Sequence, residues 1–305
     1  MTNHSSSNNS KVIMFTGKGG VGKTTCAAAT ALHYSNTNNK TLAISTDTTP
    51  SLSHIYEIND KSKPSKVKDS LFINELGYIE IKEMWDRKFG MDVYGLFSSF
   101  VDIEYSDFIE LVTSVLPGLG EEFMVDYIRE LLLNGEYSAI VWDTAPLGQT
   151  LALLETPSLL DEHLKMAPRI YSKLKTGRTT REPILDILRR WEKLSQVNID
   201  FLQEMVDFSL VAIPEALSVE QLEDIFREFN QYDLNVTRIV INNVAMIDDS
   251  SFMSTKVEQQ KGYLERIHNT YSNLEIIELP MFPHEIKGLD RLHKIEKILF
   301  FDEEL

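Results

Sequence analysis

The chain has 305 residues, 43% of them apolar, which is enough to bury one large core or a domain with a sizeable insertion. Its formal net charge of -16 argues against nucleic acid as a main partner and against general adhesion to anionic lipid. Cys26 is the single cysteine, so the chain can form no internal disulfide, and a cysteine-based zinc site would need at least two chains.

The N-terminal segment and the hydropathy pattern carry no sign of membrane insertion or secretion. No run approaches the ~20 apolar residues that a membrane-spanning helix needs. Residues 1–10, MTNHSSSNNS, are polar and lack the apolar core of a secretory signal. We therefore expect a disordered leader over these residues, no stable membrane insertion and, given the lone cysteine, a reducing cytoplasmic location.

Short β-rich runs alternate with helical stretches along the rest of the chain. The predicted strands are residues 11–17, 41–47, 78–82, 139–145, 208–214, 238–244 and 274–280. Several are apolar nearly throughout, as expected of strands that are covered on both faces. The alternation predicts an α/β fold with a doubly wound, mostly parallel sheet and right-handed crossovers.

Two connections, about residues 83–138 and 146–207, are too long for single crossover helices, and both carry helical periodicity. In the second, Pro183 suits the first turn of a long amphipathic helix. We infer that residues 11–305 form one domain that carries a helical subdomain. That subdomain is built from two insertions, at about residues 83–138 and 155–207.

The run GKGGVGKTT follows the first predicted strand and precedes a helical pattern. It fits G-x-x-x-x-G-K-[ST], the phosphate-binding loop (P-loop) whose backbone N–H groups close around phosphate oxygens. Lys23 is expected to contact the β- and γ-phosphates, and the Thr24 hydroxyl to ligate Mg²⁺. The predicted nucleotide-binding residues of this loop are Gly17, Lys18, Gly19, Gly20, Val21, Gly22, Lys23, Thr24 and Thr25.

Two acidic residues stand where apolar strands end, Asp47 in AISTDTTPSLS and Asp143 in IVWDTAPLGQT. The carboxyl ends of parallel strands converge on the ligand crevice. We predict that Asp143 holds Mg²⁺ directly or through water, and that Asp47 also contributes to the Mg²⁺ site while positioning the attacking water. Alternatively, either acid could be a helix N-cap.

Over residues 11–295 the sequence resembles the ArsA-type ATPases, which include arsenical-pump ATPases and the ATPases that deliver tail-anchored membrane proteins. The resemblance rests on GKGGVGKTT, STDTTPSLS, DTAPLGQTLALL, IPEALSVEQLED, QYDLNVTRIVINN and LPMFPHEIKGLDRL, in that order. It implies a P-loop ATPase with ATP and Mg²⁺ as cofactors. It also implies a homodimer, and a helical subdomain that binds a client transmembrane helix.

The resemblance also implies roles for single residues. Lys18 marks the signature-lysine variant of the loop, in which this lysine reaches the partner subunit's nucleotide and takes part in hydrolysis with Lys23; the alternative is a solvent-facing lysine. Glu215 would contact the nucleotide region across the dimer. Asn242 would hydrogen-bond adenine, and the tail around Pro280 would close over that base.

Asp47 and Asp143 would open the first and second switch segments, and both are present, so hydrolysis is expected. Five neighbouring positions depart from the family pattern: Thr48, Thr49, Pro50, Gln149 and Ala152. These departures leave open how each switch couples to the subdomain.

The sequence thus predicts a homodimeric ATP-hydrolysing switch that binds and delivers tail-anchored membrane proteins. Three alternatives stay open: the ATPase subunit of an anion or metalloid transporter, a chromosome- or division-site-positioning ATPase, and a nucleotide-binding scaffold without turnover. Metalloid activation uses several cysteines, and many targeting members bridge their dimer through a CxxC zinc site. A lone Cys26 speaks against the first mode, and no zinc is expected; we expect this cysteine to be a small buried apolar residue.

Overall fold

The computed structural model describes residues 11–37, 39–46, 51–60, 62–98, 103–115, 119–144, 165, 181–246 and 249–301. The strands are β1 (Lys11–Gly17), β2 (Thr41–Ser45), β3 (Ser65–Lys68), β4 (Leu71–Glu75), β5 (Ala139–Asp143), β6 (Val206–Ala212), β7 (Val236–Val244) and β8 (Glu275–Pro280). The helices of the described part are α1 (Lys23–Asn36), α2 (Leu52–Tyr56), α3 (Tyr78–Trp85), α4 (Met91–Phe97), α5 (Tyr105–Val115), α6 (Leu119–Leu133), α7 (Arg181–Met205), α8 (Ala216–Gln231), α9 (Ser251–Thr270) and α10 (Leu289–Phe301). A π-helical turn (Asp86–Gly90) joins α3 to α4.

The eight strands form one sheet in the order β3-β4-β2-β5-β1-β6-β7-β8. Every neighbouring pair is parallel except the edge pair β3–β4. The predicted α/β fold with a mostly parallel sheet is therefore confirmed. Because β1 lies between β5 and β6, the loop that follows β1 opens at the centre of the carboxyl edge of the sheet, where ligands bind in such folds.

Six of the predicted strands are confirmed, but the prediction of a strand at residues 78–82 is wrong. These residues lie in α3, which follows the extended residue Gly77 and carries Glu80 in its first turn. An acidic side chain there favours a helix start because it faces the positive end of the helix dipole. The strand beside β2 is instead the preceding run LFINE, β4, which pairs with β2 in parallel.

The chain divides into two compact units. Unit 1 comprises Met1–Leu76, Glu130–Leu147 and Gln203–Leu305, and contains the sheet. Unit 2 comprises Gly77–Arg129 and Gly148–Leu202, and its described residues are mostly helical. A nucleotide-controlled subdomain with the predicted boundaries stays a proposal, and the predicted leader at residues 1–10 lies outside the described residues.

The core of unit 1 forms around α1. Cys26 and the alanines of α1 are fully buried against sheet residues such as Phe15 and against Leu292 of α10. Small side chains let a helix approach a sheet closely, so this face of α1 has room only for residues such as alanine and cysteine. Burial raises the pKa of the Cys26 thiol to about 12, so it stays protonated, as expected of a small buried apolar residue.

Unit 2 has its own apolar core. Its buried side chains include Trp85, Phe108, Ile109, Phe123, Met124 and Ile128, with exposures from 0% to 6%. The carboxylate of Asp126, 1% exposed, pairs with Lys88 and with Arg129, whose Nε donates to Asn198. Within the described ranges, no helix combines the length and apolar character that crossing a membrane requires.

A buried carboxylate joins α1 to α10 at the end of α1 that lies away from the loop. Glu296, 2% exposed, accepts a hydrogen bond from Asn36 Nδ2 at 3.0 Å and lies 2.6 Å from His293 Nδ1. His33 lies 3.4 Å from the same carboxylate and stacks on Phe300 at a centroid distance of 3.8 Å. Burial lowers the pKa of His33, and the nearby Glu296 carboxylate opposes that shift only in part.

The lowered pKa of His33 predicts a pH-dependent stability. His33 has an ordinary pKa of 6.5 in the unfolded chain, which therefore takes up a proton more readily than the folded chain does. The stability that neutral His33 contributes is present above this pKa and is lost as pH falls through the lower, folded-state pKa. In urea unfolding at about pH 7.5 and about pH 5.5, the His33→Gln variant should lose less stability on acidification than the wild type. His284→Gln, at an exposed position, is the control; equal losses for the wild type and His33→Gln would contradict the prediction.

Candidate functional site

The predicted phosphate loop is the turn that joins β1 to α1. At Gly22 the backbone has φ of +102°, and a Cβ atom there would overlap the side-chain amide of Asn242. At Gly17 a Cβ atom would overlap the carbonyl oxygen of Val211 in β6. Both positions therefore require glycine, for backbone conformation at the first and for close approach at the second. The resulting turn is a cradle of main-chain groups with the shape that a phosphate chain needs.

The two lysines of the loop have different environments. Lys23 is 7% exposed, and its ammonium donates to the carbonyls of Gly17 at 3.3 Å and Lys18 at 3.0 Å. The side chain therefore folds back over the loop that it is predicted to serve. Lys18 is exposed, as are Gly19 and Gly20. Its position suits contact with a group outside this chain.

The first turn of α1 offers further ligand groups. Gly22 precedes the helix and has no side chain to cap it. Helix N-termini leave N–H groups that an anion can satisfy, and the helix dipole favours the same charge. Thr24 and Thr25, both partly exposed, lie in this turn. Their placement fits the predicted roles in phosphate and Mg²⁺ binding.

Asp143 lies one strand away from the loop strand. It ends β5, is 1% exposed, and lies in register with Phe15 of β1 and with Ser45 of β2. Ser45 Oγ donates to Asp143 Oδ2 at 3.4 Å, and Thr144 Oγ1 donates to the Phe15 carbonyl at 2.8 Å. Carboxylate and hydroxyl oxygens beside a phosphate cradle suit Mg²⁺, directly or through water.

Ser45 and Thr144 were absent from the sequence predictions. The available signal was their position, since each hydroxyl residue stands at a strand end within two positions of a predicted site acid. Asp47, Thr48, Thr49 and Pro50 of the first switch lie outside the described residues. The same holds for Gln149 and Ala152 of the second.

Asn242, predicted to bind adenine, contacts the phosphate loop itself. Its Nδ2 donates to the Val21 carbonyl at 2.8 Å. The structure thus brings Asn242, Lys23 and Asp143 to the carboxyl edge of the sheet around one turn. This contact ties Asn242 to the conformation of the loop.

The remaining predicted residues lie at neighbouring strand ends. Glu215 follows β6, immediately precedes α8 and lines an open groove of about 690 Å³ with Phe252, Lys256 and Tyr263. Pro280 ends β8 beside Val244 of β7, where the next residue, Met281, donates its N–H to the Val244 carbonyl at 2.8 Å. These positions are compatible with the predicted contacts to a nucleotide.

Known proteins resemble this chain over nearly its whole length. A family model described as anion-transporting ATPase matches residues 10–301. ATPase GET3A of Arabidopsis thaliana is 30% identical over 302 residues, which cover 92% of this chain and 81% of that protein. The ATPase ASNA1 homolog of Dictyostelium discoideum is 29% identical over 304 residues, covering 95% and 89%. Putative arsenical pump-driving ATPase 2 of Aquifex aeolicus (strain VF5) is 30% identical over 305 residues, covering 95% and 99%. With the P-loop between β1 and α1 and Asp143 on the adjacent strand, these matches show that the chain belongs to the ArsA family of anion-transporting ATPases, enzymes that hydrolyse ATP.

Proposed function

We propose that this ATPase is a homodimeric, Mg²⁺-dependent switch whose nucleotide state controls a helical subdomain, and that its clients are tail-anchored membrane proteins. The observation that carries the proposal is the pair of lysines in one loop. Lys23 is enclosed over the loop, while Lys18 is exposed. An enclosed lysine serves the chain's own phosphates, and an exposed one is available to those of a second copy.

We assign roles at the nucleotide from the positions of the residues in the loop and at the strand ends. Thr24 and Asp143 would hold Mg²⁺, which neutralises charge on the β- and γ-phosphates when bound. Asp47 would orient the attacking water. Glu215 and Pro280, at the ends of β6 and β8, would lie against the nucleotide in the closed dimer. These assignments make hydrolysis the event that releases one subunit from the other.

Unit 2 supports the client proposal through residues other than its core. The large aromatic side chains Trp85, Phe108 and Phe123 of unit 2 are buried in its core. Ile79 at the start of α3 and Met91 at the start of α4 are instead 66% and 69% exposed. Exposed apolar side chains are what a transmembrane client helix would contact. A cytoplasmic location belongs to the same proposal.

A transporter-associated role is the second candidate, because relatives such as that of Aquifex aeolicus are named putative arsenical pump-driving ATPases. Thiolate binding of a metalloid needs exposed, ionisable cysteines. Cys26 is fully buried, and burial raises the pKa of its thiol to about 12. The tail-anchor proposal therefore fits this chain better.

The hydrolysis proposal predicts that Asp47→Asn lowers the rate of phosphate release from ATP by about a hundredfold or more, because the attacking water loses its orienting group. ATP binding should be nearly unchanged, since the loop is intact. Asp69→Asn, at a fully exposed position, should hydrolyse ATP like the wild type. A wild-type rate in Asp47→Asn would show that another group positions the water.

The dimer proposal predicts that the wild type changes from monomer to dimer, or to a more compact dimer, with Mg²⁺ and a non-hydrolysable ATP analogue. Lys18→Ala should bind the analogue but fail to make this change, because the second copy's phosphates lose their cation. Light scattering and small-angle X-ray scattering would measure both. Lys294→Ala, exposed on α10, is the control; an analogue-saturated wild type that stays monomeric would refute the dimer.

The client proposal predicts that co-expression with a tail-anchored protein gives a soluble complex, which is lost when the client's tail is deleted. The double variant Ile79→Ser, Met91→Ser should retain less client while hydrolysing ATP normally, because it removes exposed apolar area. Leu133→Ser, at a 67% exposed position in unit 1, is the matched control. Equal retention by all three proteins would argue against these residues, and capture of the tail-deleted client would argue against the proposed client class.

A further inference from the structure

Gln260 is a buried polar side chain on a helix that is otherwise largely exposed. It is 4% exposed, and with Ile267 it is one of two buried residues of α9. A glutamine is rarely enclosed unless its amide is fully used. Here Oε1 accepts from the Ala245 N–H at 2.7 Å, and Nε2 donates to the Asn243 carbonyl at 3.1 Å. The side chain thus takes the place of a neighbouring strand for two backbone groups.

Those two backbone groups belong to a bulge at the end of β7. Ile241 pairs with Glu278 and Val244 with Pro280, so β7 has one more residue than β8 over this interval. The extra residue leaves Asn243 with φ of +61°, in the left-handed region. Bulges beside functional sites change the direction of a neighbouring side chain. Gln260 bonds to Asn243 within the bulge and to Ala245 directly after β7, and therefore fixes the shape of the bulge.

The side chain next to the bulge is Asn242, which donates to the Val21 carbonyl at 2.8 Å. In a trans peptide the carbonyl and the following N–H point in opposite directions. Holding the Val21 carbonyl toward β7 therefore turns the Gly22 N–H away from Asn242. The same amide occupies the space that a Cβ of Gly22 would take. The conformation of this loop peptide depends on Asn242.

We propose that Asn242 and Gln260 are positioning residues for the phosphate loop. Gln260 fixes the bulge that aims Asn242, and Asn242 orients the Val21–Gly22 peptide so that its N–H is presented to a phosphate. The proposal rests on residues 17–25 being the phosphate site of the proposed function. It assigns Asn242 a task that does not depend on the base of the nucleotide.

The test compares ligands that share phosphates but differ in the base: ATP, GTP and inorganic tripolyphosphate, each with Mg²⁺, in calorimetric titrations of the full chain. Asn242→Ala should weaken the binding of all three by a similar factor, about fivefold to tenfold for one lost hydrogen bond to an ordered peptide. Gln260→Met keeps the side chain's length without its hydrogen bonds and should give a similar, base-independent loss. Gln231→Met, the same substitution at an exposed position at the end of α8, should bind all three like the wild type.

A loss confined to ATP would overturn the proposal and leave Asn242 as an adenine contact. Unchanged affinities in Gln260→Met would remove Gln260 from it. If Gln260→Met does not fold, as judged by its melting curve, Gln260→Glu replaces it. This variant keeps the acceptor for Ala245, loses the donor and sets a carboxylate oxygen against the Asn243 carbonyl, so it should weaken the binding of all three ligands at least as much. A wild type that binds none of the three ligands would refute the phosphate-site assignment itself. A wild type that binds them but fails to dimerise or to capture a client would contradict the proposed switch and client, and the titrations would still test Asn242 and Gln260.

Discussion

The turn from β1 into α1 is the constraint on which the rest of the site depends. Two neighbouring strands approach this turn so closely that Gly17 meets the Val211 carbonyl of β6 and Gly22 meets the Asn242 amide of β7. Any side chain at either position would push the loop out of the sheet edge. The strand order then determines what surrounds the loop, because β5 on the other side of β1 brings Asp143 into register with Phe15. The glycine turn and the predicted metal-binding acid are thus brought together by one packing arrangement.

The same turn is supported at a distance by α1. The alanine-rich face of this helix is buried, and Tyr56 of α2 donates its hydroxyl hydrogen to the Ala28 carbonyl at 2.7 Å. Burial raises the pKa of the Tyr56 phenol, so it remains a donor. At the other end of α2, the Glu75 carboxylate accepts from the N–H groups of Leu52 at 2.8 Å and Ser53 at 3.2 Å. This contact fixes the start of α2, which follows the predicted first switch in sequence.

The features that sequence reasoning identified are those that local pattern determines. The phosphate loop needs glycines at fixed spacing, and Asp143 follows an apolar run, so both are readable from a short window. The contacts that were missed act across the fold: Ser45 donates to an acid on another strand, and the Asn242–Val21 hydrogen bond joins two predicted residues that are 221 positions apart. No local pattern encodes such a contact, because it exists only once the strand order is known.

The error at residues 78–82 has a similar cause. The run YIEIK alternates apolar and polar residues as a strand does, but a helix also accommodates it when an acidic residue such as Glu80 lies in the first turn. The place beside β2 was already filled by LFINE, which ends in Glu75.

Glu75 lies between the predicted first switch and unit 2. Its carboxylate caps α2, which follows that switch, and its backbone stands two residues before Gly77, where unit 2 begins. In a switch of the proposed kind, a displacement of α2 on hydrolysis would act first on this carboxylate and then, over two residues of chain, on the start of α3 with its exposed Ile79. Coupling between the nucleotide and unit 2 would therefore not require the switch residues that depart from the family pattern to contact the helices directly.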